Sequence, residues 1–95
     1  MVHVQLLIWD PGNVAHIARH DVQRHEVEEV CHGSPVDLKS YKERIVLIGP
    51  TQAGRMLAVV LQSQAERGMY YPVTARPASR RERRYYQEQK RGTKQ

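Results

Sequence analysis

Two apolar stretches joined by a short turn constrain this chain most. Residues 45–48 and 56–61 are apolar at both alternating positions, so as strands they project hydrophobic side chains to both faces of a sheet, and much of each face must be covered. Pro50-Thr51-Gln52-Ala53-Gly54 lies between them and has turn chemistry, which joins strands over residues 44–49 and 55–62 in a meander. The 95-residue chain forms one domain around that pair, because a second core would need more chain than is left. With 40% hydrophobic and 26% charged residues, it buries enough apolar surface to fold. The longest apolar run, 56–61, falls far short of the ~20 residues of a membrane-spanning helix. The first residues have neither the basic start nor the small-residue cleavage site of a signal peptide. Cys31 is the one cysteine and forms no internal disulfide, which fits a cytoplasmic protein.

Ahead of the central pair, Val4, Leu6 and Ile8 alternate with His3, Gln5 and Leu7 as a short strand. Asp10 then serves as an N-cap, Pro11 takes a first-turn position, and Trp9 with Val14 occupies the positions of a hydrophobic staple, so a helix spans residues 11–20. Asp21 and Val22 break it. Val27, Val30 and Cys31 fall at i, i+3 and i+4 and mark a second short amphipathic helix that ends near Gly33 and Pro35. Residues 36–40 read as a weak strand. After Gly68, residues 69–76 form the last strand; Pro72 cannot donate to a ladder, so a bulge or an unpaired edge is expected there. Simple alternation puts Tyr71, Val73 and Ala75 on one face and Tyr70, Thr74 and Arg76 on the other. Ser79-Arg80-Arg81-Glu82 has capping-box spacing, so the third helix starts at Arg80 and frays after about Lys90. The fold class is α+β, with two short N-terminal helices packed on an antiparallel meander and a basic C-terminal helix. Residues 1–90 make the domain and residues 91–95 a frayed basic tail.

Charge is placed unevenly. Residues 76–95 carry eight basic side chains against Glu82 and Glu88, a balance of +6, so the preceding seventy-five residues hold −1 of the formal +5. A short basic element on a near-neutral body attracts phosphate backbones or an acidic protein surface. Arginine dominates that stretch, and its planar fork suits bidentate phosphate binding.

Most familiar chemistries are missing. His16 and His20 share a helix face at metal-chelating spacing, but Ile17 stands where the zinc-protease pattern needs Glu, and two such histidines are more simply helix-end packing or capping groups. Cys31 and His32 point about 100° apart on a helix and cannot meet. Glu26, Glu28 and Glu29 read as a solvated helix face. There is no phosphate-cradling glycine loop, serine elbow or dinucleotide fingerprint, and no metal or cofactor is implied. What remains is an arginine-rich, tyrosine-bearing helix beside a strand that ends in Arg76. Such a cluster can hold a phosphodiester and stabilise the charge that grows when a ribose 2′-hydroxyl attacks phosphorus. Tyr70, Tyr85 or Tyr86 would stack on bases or act as acid–base groups, although one of Tyr85 and Tyr86 packs the helix on the sheet. Glu82 reads as a cap rather than a base.

Trp9-Asp10, Asn13, His16-Ile17, His20, Val22, Glu28-Glu29-Val30, Thr51 through Arg55, Thr74-Ala75-Arg76, and Ser79 with Glu82 through Tyr85 together resemble the BrnT family of bacterial toxins, in order and spacing over about residues 6 to 86. The resemblance implies a RelE-like α/β fold. It implies a type II toxin–antitoxin system whose toxin is a ribonuclease that inhibits translation, neutralised by a BrnA-like antitoxin in a heterotetramer. Carried over residue by residue, it marks Arg76, Arg80, Arg81, Arg84 and Tyr85, with His20 matching a family histidine. Asp21 stands where such proteins commonly have Gly, and Pro72 interrupts a strand usually free of proline.

The expectation is therefore a metal-independent endoribonuclease. Arg76 would bind the scissile phosphate and Arg80 or Arg84 the transition-state charge. Tyr85 or His20 would supply acid–base function, and Arg81, Arg83 and Tyr70 would bind RNA. The alternative is a non-catalytic adaptor whose basic helix docks on an acidic partner or binds nucleic acid.

Overall fold

In the computed structural model, which describes residues 2–39 and 43–92, the elements run β1 (Leu6–Leu7), α1 (Pro11–Ala18), α2 (Arg24–His32), β2 (Val36–Lys39), β3 (Arg44–Pro50), β4 (Met56–Ser63), β5 (Met69–Pro77) and α3 (Arg80–Gly92). The strands form one sheet in the order β1-β5-β4-β3-β2. From β2 to β5 it is the expected antiparallel meander. β1 instead joins β5 in parallel, so the sheet is mixed: the chain crosses two helices and three strands before β5 returns in the direction of β1. Two expectations reach outside the described residues: Ser40 at the end of β2, and Thr93-Lys94-Gln95 in the tail. Arg91 and Gly92 continue α3.

The two faces of the sheet carry separate apolar layers, as the central strands require. On one face Ile17, Val22, Val27, Val30 and Cys31 pack on Leu47, Leu57, Val59, Leu61 and Ala75. On the other, Ile48 and Ala58 meet Ala78, with Tyr85 and Tyr86 of α3 against them. Fully burying a Leu or Ile side chain is worth about 1.5–3 kcal/mol, and Ile17, Ile48, Leu57 and Leu61 are all fully buried.

Local chemistry explains the element ends. The Asp10 carboxylate accepts from the Asn13 backbone N–H at 2.8 Å and the Asn13 side chain accepts from the Asp10 N–H at 2.9 Å, a closed capping box at the start of α1. α1 ends at Ala18 rather than His20 because Asp21 N–H bonds to the Ala18 carbonyl and Val22 N–H to that of Ile17, with Asp21 at φ 61°. That is a left-handed helix stop, usually glycine's place. Gly68, at φ +84°, offers its carbonyl to the N–H groups of both Gln5 and Leu6. An added Cβ there would stand 2.9 Å from the Gln5 side chain.

Three readings need correction. In β1 it is Leu7 that is buried while Leu6 is 53% exposed, because pairing with β5 sets the facing. The glutamates of α2 are not a solvated face. Glu26 takes Arg55 at 3.1 Å, Glu28 takes the Trp9 indole at 2.7 Å, and Glu29 takes the Gln52 N–H at 3.0 Å, which tie α2 to both Gln52 and Arg55 of the β3–β4 connection and to the chain after β1. The third concerns β5. Leu61 pairs with Pro72 but Val60 pairs with Thr74, leaving Val73 as the extra residue of a bulge. The bulge is the expected answer to a proline in the ladder, and it shifts the alternation by one. Tyr70 therefore lies with Ala75 on the α1/α2 face. Tyr71, Thr74 and Arg76, opposite Gln62, Val60 and Ala58, share the α3 face.

Candidate functional site

The site is organised by the junction of β5 and α3. Ala78 donates its N–H to the Met56 carbonyl at 2.9 Å, which fixes the chain beside β4 before the helix begins. Ser79 Oγ accepts from the Glu82 N–H at 3.1 Å and Glu82 Oε1 accepts from the Ser79 N–H at 2.8 Å, so the capping box closes as its spacing requires. Glu82 does a second job. Both its oxygens accept from the two Nη atoms of Arg76 at 2.7 Å, a bidentate ion pair in which Glu82 is 13% exposed and Arg76 42%. Arg76 chiefly, with the Ser79 N–H behind it, holds the Glu82 carboxyl down to about 2, and Glu82 in turn pushes the Arg76 guanidinium up. Arg76 is thus not presented as an empty phosphate fork; it clamps the start of α3 to the sheet.

The helix sorts its side chains by periodicity. Glu82, Tyr85, Tyr86 and Lys90 are half-buried, at the i, i+3, i+4, i+8 positions that face the sheet, while Arg80, Arg81, Arg83 and Arg84 are exposed. Tyr85 packs on the α3-side core and donates its hydroxyl to the Asp37 carbonyl at 3.0 Å, on the edge strand β2. Tyr86 packs there as well, and its ring lies 5.6 Å from the Lys90 ammonium. Both tyrosines of the pair therefore pack, where one was expected to.

The site residues read from sequence divide into two groups. Arg76, Arg80, Arg81, Arg83, Arg84 and Tyr85 are brought to the α3 side. Tyr70 and His20 are not: Tyr70 packs on the core beneath α1 and α2, and exposed His20 follows α1, whose Ile17 is buried in that same core. His20 meets His16 edge-on with ring centres 5.6 Å apart. Among the described residues no group of three metal-ligating side chains is assembled. A cavity of about 490 Å³ lies elsewhere, lined by Val2, Val4, Cys31, His32, Asp37 and Gln89 among others; none of the arginines lines it.

Two elements of the α3 face escape a sequence reading. Tyr71 donates its hydroxyl to the Asp10 carboxylate at 2.9 Å, a contact across 61 positions that no local pattern encodes. Arg44 donates from Nε to Gln62 at 2.9 Å, and Gln62 is the cross-strand neighbour of both Arg44 and Tyr71. The signal for Tyr71 was Pro72 itself: counting the bulge moves Tyr71 to the face of Arg76. No helix among the described residues is long and apolar enough to cross a membrane.

No protein-family model matches the chain, and no curated protein matches it. A solved structure does: the fold is similar to that in the 1.1 Å crystal structure of the Brucella abortus ribonuclease toxin BrnT, with a TM-score of 0.63 and 21% identity, covering 81% of this chain and all of that one. The α+β fold implied by the sequence resemblance is the fold observed.

Proposed function

We propose that the chain is a toxin that cleaves RNA without a metal ion, inhibits translation, and is neutralised by a BrnA-like antitoxin. The observation that carries this reading is the row of exposed arginines Arg80, Arg81, Arg83 and Arg84 on α3, on a fold shared with a ribonuclease toxin. In the reaction, the 2′-oxygen of a ribose forms a bond to the adjacent phosphorus while the bond from phosphorus to the 5′-oxygen breaks. The 2′-hydroxyl proton passes to solvent and the departing oxygen takes one from it, giving a 2′,3′-cyclic phosphate and a 5′-hydroxyl end. Negative charge grows on the non-bridging oxygens, and guanidinium groups carried in a row on one helix stabilise it. Arg80 and Arg84, one turn apart, take that role, with Arg81 and Arg83 holding flanking phosphates. Arg76 reaches a phosphate by exchanging the Glu82 carboxylate for it.

The test is incubation of purified protein with single-stranded RNA in excess chelator, beside an Arg80→Ala/Arg84→Ala variant, with product ends identified. Cyclic phosphate ends are expected from the wild type. The variant should be slower by about a hundredfold or more, the usual cost of removing an oxyanion-stabilising donor. Equal cleavage by both proteins removes Arg80 and Arg84 from the reaction. RNA bound to saturation yet left intact favours the non-catalytic adaptor, for which the occupied fork of Arg76 is the supporting observation.

A further inference from the structure

We infer that the half of the sheet face left open by α3 seats single-stranded RNA, with Tyr71 stacking an unpaired base and Arg44 holding a phosphate; the inference rests on the ribonuclease reading above. α3 packs on β2 and β3, and its tyrosines belong to the cluster around Ile48 and Ala58. The same face continues beyond it along the strands as the row Thr74, Val60, Val46 and then the row Tyr71, Gln62, Arg44. From Ala58 to Gln62 is four residues of strand, roughly 13 Å at about 3.3 Å per residue, so the row of Arg76 and Ala58, beside which α3 begins, and the outer row are separated by the span of a few nucleotides.

The outer row is arranged in advance. Asp10 is fixed as the N-cap of α1 by Asn13, and its carboxylate holds the Tyr71 hydroxyl at 2.9 Å at the surface. The Asn13 N–H first, then Tyr71, keep the Asp10 carboxyl below its usual range, so this acceptor stays ionised at neutral pH. A tyrosine whose tip is tied down loses little freedom when a base covers its ring. Across the row, Gln62 takes the Arg44 Nε–H, leaving the rest of the planar guanidinium to act on a passing phosphate. The row thus offers an aromatic ring and, two strands away, a cation, the pair of contacts by which single strands are held with little sequence preference. The Tyr71 hydroxyl is taken up by Asp10, so its part is stacking rather than acid–base work.

The experiment uses a fluorescent single-stranded oligoribonucleotide made 2′-O-methyl throughout, which cannot undergo 2′-attack and so reports binding alone, followed by anisotropy. Tyr71→Leu is expected to weaken binding about tenfold or more, with Tyr71→Phe, which keeps the ring but loses the Asp10 tie, falling between it and the wild type. Arg44→Gln weakens it and lowers the slope of log K against log salt by about 0.7, whereas Tyr71→Leu leaves that slope unchanged. Single abasic sites scanned along the probe should cost wild-type affinity at one position and cost nothing there in Tyr71→Leu. The scan on the wild-type protein needs no variant to fold, and a flat profile refutes stacking. Wild-type affinity in Tyr71→Leu and Arg44→Gln, with binding lost in Arg81→Ala/Arg84→Ala, sinks this inference and spares the ribonuclease reading. Binding that survives all of these changes sinks both.

Discussion

Replacing Glu82 by Gln isolates the one charge on which the start of α3 depends. The introduced amide would still cap the Ser79 N–H, since Gln serves in a capping box, but it loses the charge that pairs with Arg76. The fall of the Glu82 pKa from 4.5 to about 2 corresponds to about 3–4 kcal/mol at roughly 1.4 kcal/mol per unit. Arg76 is 42% exposed and stays hydrated when its partner goes, so solvent screening reduces the cost to about 2 kcal/mol. For a domain of this size that lowers Tm by roughly 8–16 °C. A carboxylate whose folded pKa lies below its unfolded one adds stability in full above the unfolded value, and that stability drains away as pH falls through the folded value. The gap in Tm between wild type and Glu82→Gln, followed by circular dichroism, should therefore be complete at pH 7, narrow below about pH 4.5 and close near pH 2. An Arg76→Met arm completes a double-mutant cycle with an expected coupling of about 2 kcal/mol. A gap that stays constant from pH 7 to pH 2, or a coupling near zero, would refute the clamp.

Two further outcomes follow from strain and burial. Asp21→Gly should raise Tm by about 2–4 °C, because Asp21 sits at φ 61°, where glycine avoids a steric cost larger than the entropy it adds to the unfolded chain; an unchanged or lower Tm contradicts this. Cys31 is 6% exposed and burial pushes its thiol up to about 12, so at pH 8 a disulfide reagent should label it only at the rate of transient unfolding. Labelling as fast as that of a free peptide thiol would show the core around α2 to be open.

What the sequence discloses divides by range. Caps are local, so Asp10 followed by Pro11, and Ser79 with Glu82, locate two helix starts to the residue. Apolar parity in residues 45–48 and 56–61 requires a sheet covered on both faces, and both layers are present. Pro72 announces a bulge, but a bulge is also a change of face. Alternation counted without it sends Tyr70 to the arginines and Tyr71 away, the reverse of what the register gives. The capping box states that Glu82 turns back to Ser79; it is silent about the carboxylate's other oxygen, which has room for Arg76. The glutamates of α2 look like a solvated stripe because their partners Trp9, Gln52 and Arg55 are remote in sequence. The candidate site is thus legible as an inventory of arginines and illegible as a set of pairings.

Those pairings bear on why α3 carries the charges it does. Arg80 lies three and four residues before Arg83 and Arg84, and Arg81 three before Arg84, so the exposed face holds several like-charge contacts, each costing a few tenths of a kcal/mol. No described residue of the helix is fully buried, and the packing of Tyr85 and Tyr86 and the Glu82–Arg76 pair are what offset that repulsion. At the start of α3 the Glu82 carboxylate is already committed to Arg76, which leaves Glu88, one turn after Arg84, as the other carboxylate of the described helix against four arginines. A helix needed only to cover the sheet would be more stable with alternating signs on this face. Four adjacent cations become favourable once a polyanion lies across them, because each phosphate bound removes repulsion as well as adding attraction. The self-repulsion of free α3 is therefore itself an argument for a nucleic-acid ligand. It requires that RNA or another polyphosphate raise the Tm of this protein more than it raises that of an Arg80→Gln/Arg84→Gln variant, which should itself melt slightly higher when no ligand is present.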